Sequence, residues 1–201
     1  MGCNIIQDGT GTGKNAKVDT DNRLHVDSVS RTTFQQSVIK GNGYNINTGT
    51  ITLTSDSESA IFYFKYTGDR AIIIKEILVI AGSTTGGSGD ATIKVIKNPT
   101  TGTIVSTATD VDTSINRDFS SSKVIDGDIY KGTEAATMTN GSTFAVTTRS
   151  AFTAPITFDA ESIILRKSNS IGVKFTPPTG NTSQVVTVAI TATEPELSEL
   201  D

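Results

Sequence analysis

One histidine, His25, and one cysteine, Cys3, are all that the 201 residues offer for imidazole or thiolate chemistry. A Ser–His–acid triad or a Cys–His pair would have to be built on them. Both fall in the first thirty residues, where strand patterning is weak and a reactive geometry is hard to hold rigid. A zinc site would lack ligands. Carboxylates do occur in pairs two residues apart: Asp56 with Glu58, Asp110 with Asp112, and Asp126 with Asp128. On a strand such residues share a face, a spacing that suits a calcium ion or the acid and base of a glycosidase. No pair sits in a calcium-loop pattern, and Asp19-Thr-Asp-Asn-Arg23 puts a cation where an oxygen ligand is needed. Their expected role is that of solvated turn residues.

The segment Gly9 to Lys14 (GTGTGK) has the look of a phosphate loop. Such a loop needs glycine five residues before its Gly-Lys pair and a hydroxyl residue after the lysine. Asp8 and Asn15 stand at those positions. The shorter dinucleotide pattern is met by Gly11, Gly13 and Ala16, but the following Lys17-Val-Asp-Thr-Asp-Asn22 is no helix to aim at a pyrophosphate. A loop is the expected role, so no cofactor and no metal are implied, and the chain is expected not to be an enzyme. The sequons at Asn140 and Asn181 matter only on a secretory route.

The elements that would position any site read as strands. The hydrophobic fraction is 35%, yet charged residues supply only 19%, so the remainder is neutral and polar, dominated by threonine, serine and 18 glycines. Threonine fits a pleated surface wet on one side. Alternating runs occur at Thr50–Thr54, Ala60–Tyr66, Ala71–Ala81, Ala91–Lys97, Lys123–Lys131, Ser142–Thr148, Ser162–Lys167, Ile171–Thr176 and Gln184–Thr193. Turn residues separate them at the spacing of a sandwich or barrel. In Ala60–Tyr66 the pattern puts Phe62, Phe64 and Tyr66 on one face and Ile61 and Tyr63 on the other. The long run at Ala71–Ala81 is interrupted by Lys75 and Glu76, where a bend or bulge is expected. In the last run Val186, Val188 and Ile190 share a face. No window shows a helical period over three turns. The expectation is an all-β antiparallel β-sandwich, jelly-roll-like, over residues 31–193. An extended arm (1–30) precedes it and an acidic tail (194–201), expected to fray, follows it.

A net charge of −4 with scattered lysines and arginines argues against nucleic acid as a partner. One cysteine permits no internal disulfide. The Met-Gly-Cys start fits neither lipidation pattern, since Ile6 occupies the hydroxyl position of a myristoylation signal and only two residues precede Cys3. No stretch approaches a membrane span and no signal peptide opens the chain, so a soluble protein made in the cytoplasm is expected.

Two segments carry a resemblance. Asp8 to Val26 (DGTGTGKNAKVDTDNRLHV) resembles the amino-terminal stretch of many tailed-bacteriophage virion proteins. Asn116 to Ala192 resembles a β domain of phage particle proteins, through Asn116-Arg-Asp-Phe119, Tyr130-Lys-Gly132, Leu165-Arg-Lys167, Ser170-Ile-Gly-Val-Lys174 and Thr176-Pro-Pro-Thr-Gly-Asn-Thr182. Together they cover about half the chain. The resemblance implies a virion structural protein: a capsid decoration (cement) protein on the outer shell, bridging major capsid subunits, as a homotrimer. It would use arm residues Lys17, Val18, Arg23, Leu24, His25 and Val26 for contacts. The alternative is a tail, neck or fibre-associated protein with a host-glycan role, in which exposed aromatics such as Tyr44 or Tyr130 would stack on a sugar.

Overall fold

The computed structural model describes residues 31–106, 109–111, 114–149 and 155–196. The chain divides into Met1–Thr32 and Thr33–Asp201, and every element below belongs to the second unit. The expected arm and its six contact residues lie outside the described residues.

A seven-residue helix, α1 (Thr33–Ile39), opens the domain, where the sequence shows no helical period. Its start matches a short capping pattern, with Thr32 three residues before Gln35. Its end is a Schellman turn: Gly41 takes φ 73°, its N–H donates to Val38 O at 2.9 Å, and Asn42 N–H donates to Ser37 O at 2.7 Å. Two turns are too short to register as a hydrophobic period.

Strands follow as β1 (Gly43–Asn47), β2 (Ile51–Leu53), β3 (Ser59–Tyr66), β4 (Ile72–Ala81) and β5 (Ala91–Lys97). A single turn of helix, α2 (Thr103–Ser106), leads to β6 (Thr109–Asp110), β7 (Ser114–Asn116) and β8 (Gly127–Lys131). The chain ends on β9 (Ser142–Arg149), β10 (Ile156–Leu165), β11 (Ser170–Thr176) and β12 (Gln184–Thr193). All pair antiparallel in two sheets. The first runs β10-β4-β12-β1-β7 with β2 also beside β12, and the second runs β6-β8-β3-β11-β5-β9.

The strands β1 and β2 are one interrupted strand along β12. At the break Thr48 N–H donates to Val188 O, and Val188 N–H donates to the Thr48 hydroxyl, both at 3.0 Å. Counted so, eight long strands in chain order lie as 6-3-8-1 in one sheet and 2-7-4-5 in the other, the order of a jelly roll. The expected antiparallel sandwich is therefore the fold. The insertion between β5 and β9 supplies β6, β7 and β8, which widen both sheets on the flank opposite β9 and β10.

Between the sheets lies one large core, filled by Phe62, Phe64 and Tyr66 from β3, Ile72, Ile74, Ile77 and Val79 from β4, and Val186, Val188 and Ile190 from β12. Two bulges set which residues enter it. In β4, Thr191 of β12 opposes Glu76 and Ala192 opposes Ile74, so Lys75 is the extra residue. The inward positions switch from Ile72 and Ile74 to Ile77 and Val79 across it, where the sequence predicts a bulge. In β3, Val173 opposes Phe62 and Lys174 opposes Ala60, which makes Ile61 the extra residue. Ile61 therefore joins the main core beside Phe62, a correction to strict alternation, and only Tyr63 keeps the opposite face.

That opposite face has a small core of its own. Ala60, Tyr63 and Ile96 are covered by Ile104 from α2 and by Ala136 and Met138 from the loop after β8. A side chain at Gly172 would meet Met138 Sδ at 2.2 Å, so the glycine is what lets this cover lie flat on β11.

Candidate interaction surfaces

The carboxylate pairs separate once the fold places them. Asp56 accepts from Gly180 N–H at 2.9 Å and ties down a loop. Glu58 accepts from Lys94 Nζ at 2.6 Å and from Lys174 Nζ at 2.8 Å. Burial opposes ionisation of Glu58, but the bonds from Lys174 and Lys94 outweigh it and hold the carboxyl below its ordinary value. That is the direction of a fixed counter-ion and the reverse of what a general acid needs. Asp128 lies on β8, Asp126 just before it, and Asp112 lies outside the described residues. Among the described residues no three His, Cys, Asp or Glu side chains gather as a metal site. His25 and Cys3 lie outside the described residues, as do Lys17, Val18, Arg23, Leu24 and Val26.

The aromatics named for sugar stacking are not available for it. Tyr44 is a core residue at 1% exposure. Tyr130 is half-buried and stacked on Tyr63, ring centroids 5.9 Å apart and planes 9° apart. Tyr44 belongs instead to a buried polar cluster at the end of the core. The Tyr66 hydroxyl donates to Glu194 Oε1 at 2.5 Å. Burial, together with the Glu194 carboxylate, pushes the Tyr66 hydroxyl far above the usual phenol value, and burial raises Tyr44 to about 12. Glu194 is thus a buried anchor, and Glu196 pairs with Lys40 at 3.0 Å. The start of the acidic tail is fastened rather than frayed, because its first carboxylate has a hydroxyl donor waiting inside the sandwich. Asn181, read as half of a sequon, is 4% exposed and donates to Leu53 O at 3.0 Å and Ser55 O at 3.1 Å while accepting from the Thr84 hydroxyl. It pins three loops at one end and is closed to modification.

Among the described residues, Ile80 and Val185 stand out from inner strands of the first sheet, and the other exposed large apolar side chains lie on two flanks. One flank carries β9 and β10, each the last strand of its sheet. Strand edges of eight and ten residues offer unpaired backbone groups to another chain. β9 carries Phe144 and Val146, 58% and 54% exposed, and its only charge is the terminal Arg149. Phe144 is itself a bulge residue, since Ala145 opposes Val95 and Thr143 opposes Ile96. Between the two edge strands opens a cavity of about 230 Å³, lined by Phe144, Ile163, Ile164, Leu165, Lys97 and Asn169 among others.

The other flank carries the loop after β7. Asn116 anchors it, donating to Gly41 O at 2.7 Å and Lys123 O at 3.1 Å and accepting from Asp118 N–H at 2.9 Å. Asp118 in turn accepts from the Ser120 hydroxyl at 2.6 Å and from Ser120 N–H at 3.0 Å. These bonds hold the Asp118 carboxyl below its ordinary value. Lys123 Nζ donates to Lys40 O and Asn42 Oδ1, both at 2.8 Å. On top of this bonded turn stands Phe119, 94% exposed, with Val124 at 69% and, at the end of α1, Ile39 at 57%. Sequence reasoning used Asn116–Phe119 only as a point of resemblance; the signal it held was an Asn-x-Asp-x-Ser turn presenting an aromatic.

No protein-family model matches the chain, and no curated protein matches it.

Proposed function

We propose that the chain is a structural subunit of a bacteriophage particle, a capsid decoration protein that binds major capsid protein and assembles as a homo-oligomer. The observation that carries this reading is the character of the surface. A jelly roll exposes two long edge strands on one flank, β9 with a single terminal charge and β10 with an apolar end at Ile163–Leu165, and a rigidly mounted aromatic on the other flank. Such edges are hazards for a monomer and assets for a lattice component. The fold alone serves many functions, so the virion assignment rests on the resemblance of Asp8–Val26 and Asn116–Ala192 to phage particle proteins. The carboxylates Asp56, Glu58 and Glu194 serve as a loop anchor, a double ion pair and a buried tail anchor, which suits a protein whose work is contact rather than turnover.

The test is gold-labelled antibody against residues 31–201, applied to particles produced from the genome that encodes the chain. Dense label over the whole head is the expected result. Label confined to tail, neck or fibre tips would overturn the decoration role in favour of the fibre-associated one, and a glycan screen would follow.

A further inference from the structure

The apolar features of the two flanks match each other. We propose that Phe119 of one copy seats in the cavity between β9 and β10 of a second copy, so that the chain associates head to tail. The inference rests on the homo-oligomeric part of the proposed function and gives it an interface.

Size fits first. A cavity of about 150 Å³ lined by Leu, Ile and Phe accepts a benzene ring, and this one measures about 230 Å³. Its apolar lining comes from Phe144, Ile163, Ile164, Leu165 and Ile171, and two of these, Phe144 and Ile164, stand half-exposed at the mouth. Aromatic anchors entering apolar pockets are where binding energy concentrates. The backbone at Phe119 is already held by the bonded turn beneath it, so docking has to order only the ring's own rotamers.

Charge fits second. Lys97 is at the cavity and forms no ion pair or side-chain hydrogen bond among the described residues. Asp118, next to Phe119, is ionised and exposes its carboxylate to solvent while bonded only to Ser120. Seating the ring brings that carboxylate to the ammonium.

Position fits third. Leu165 opposes Ile72, Ile73 opposes Thr193, Thr193 opposes Gly43, and Arg117 N–H donates to Gly43 O at 2.8 Å. Cavity and aromatic therefore lie at the same end of the sandwich, on opposite flanks. No copy can fill its own cavity, and each copy gives its ring to one neighbour and takes a ring from another. That is a heterologous contact, which closes into a ring where its rotation allows and otherwise extends as a filament; the resemblance implies a ring of three.

The experiment uses the full chain and measures mass in solution by light scattering and native mass spectrometry at tens of micromolar. The wild type is expected to run at three times the monomer mass. Phe119→Asp removes the knob, and Ile164→Lys blocks the cavity mouth at an exposed edge position where lysine is well tolerated. Each alone is expected to run as a monomer with an unchanged far-ultraviolet spectrum. Mixed, they have one good knob and one good cavity between them, and a heterodimer of one copy each is expected. A wild type that stays monomeric, a single variant that stays oligomeric, or a mixture that stays monomeric would each overturn the inference. Particle labelling is independent: a monomer in solution that still coats heads sinks only this interface, and a ring that never labels heads sinks only the decoration role.

Discussion

Asn181 shows how much one side chain can carry. Its amide nitrogen serves Leu53 O and Ser55 O, and its oxygen takes the Thr84 hydroxyl. Asn181→Ala leaves two carbonyls without a donor in a nearly closed site, at about 1–3 kcal/mol each. A loss of roughly 2–6 kcal/mol in urea unfolding is expected, with an unchanged denaturant slope. The tyrosines give a second prediction. In the unfolded chain phenols titrate near 10, whereas Tyr44 is raised to about 12 and Tyr66 is raised further, both chiefly by burial. Between those values the folded state holds protons that the unfolded state has lost, so stability falls as pH rises from about 10 towards 12. Below 10 these groups contribute no pH dependence. Melting temperature against pH checks this, together with tyrosinate absorbance, which should show Tyr44 and Tyr66 ionising late in the native protein, with Tyr63 also held above its ordinary value by burial. Tyr66→Phe should remove its share of the slope. None of this was visible in the sequence. Alternation marks Tyr66 as inward but does not say that Glu194, 128 positions away, meets it.

At the scale of elements, the sequence was most informative where residues alternate over six or more positions. β4, β5, β11 and β12 lie where the pattern places them, and the Lys75 bulge follows from two charges breaking an apolar run. Legibility failed where an element is short or where register departs from period two. α1, α2, β6 and β7 are two to seven residues long. Their formation depends on caps and neighbours, as with Asn116 reaching Gly41 O. The run Lys123–Lys131 condenses to β8 because residues 117 to 126 are spent on a turn rather than on pairing. Ile61 changed face because a bulge is a property of two strands, and one strand's sequence does not record it. The helix cap is testable. Gly41→Ala forces a non-glycine residue to φ 73° and drives its Cβ to within 2.4 Å of Ser121 Oγ. The left-handed conformation alone costs about 1–2 kcal/mol. Thermal melting should fall accordingly, with the Phe119 turn, which shares Gly41 as a partner, loosened in hydrogen exchange.

For the whole molecule, the sandwich and its jelly-roll order follow from strand number and turn spacing, but the apolar flanks do not. Phe119, Phe144 and Ile164 look like any other apolar residues in the sequence, and only the topology reveals that two are on one flank and one on the other. Removing β12 by ending the chain at Ser183 should abolish folding altogether, since β1, β2 and β4 all take β12 as partner. Loss of the β-sheet circular dichroism band and of any cooperative melt is the expected result.

The place of β12 has a further consequence for how the protein is made. Gly43 pairs with Thr193, so the first strand of the domain waits for the last. Pairing across that separation is slow, and during translation β1 has only the three-residue β7 to pair with until residue 193 emerges from the ribosome. Until then the nascent chain shows β2 and one side each of β1 and β4 as open edges, in addition to the long edges of β9 and β10. Synthesis therefore acts as a timer. The first sheet is completed only when β12 arrives, and a chain interrupted before that point is left to chaperones and proteases.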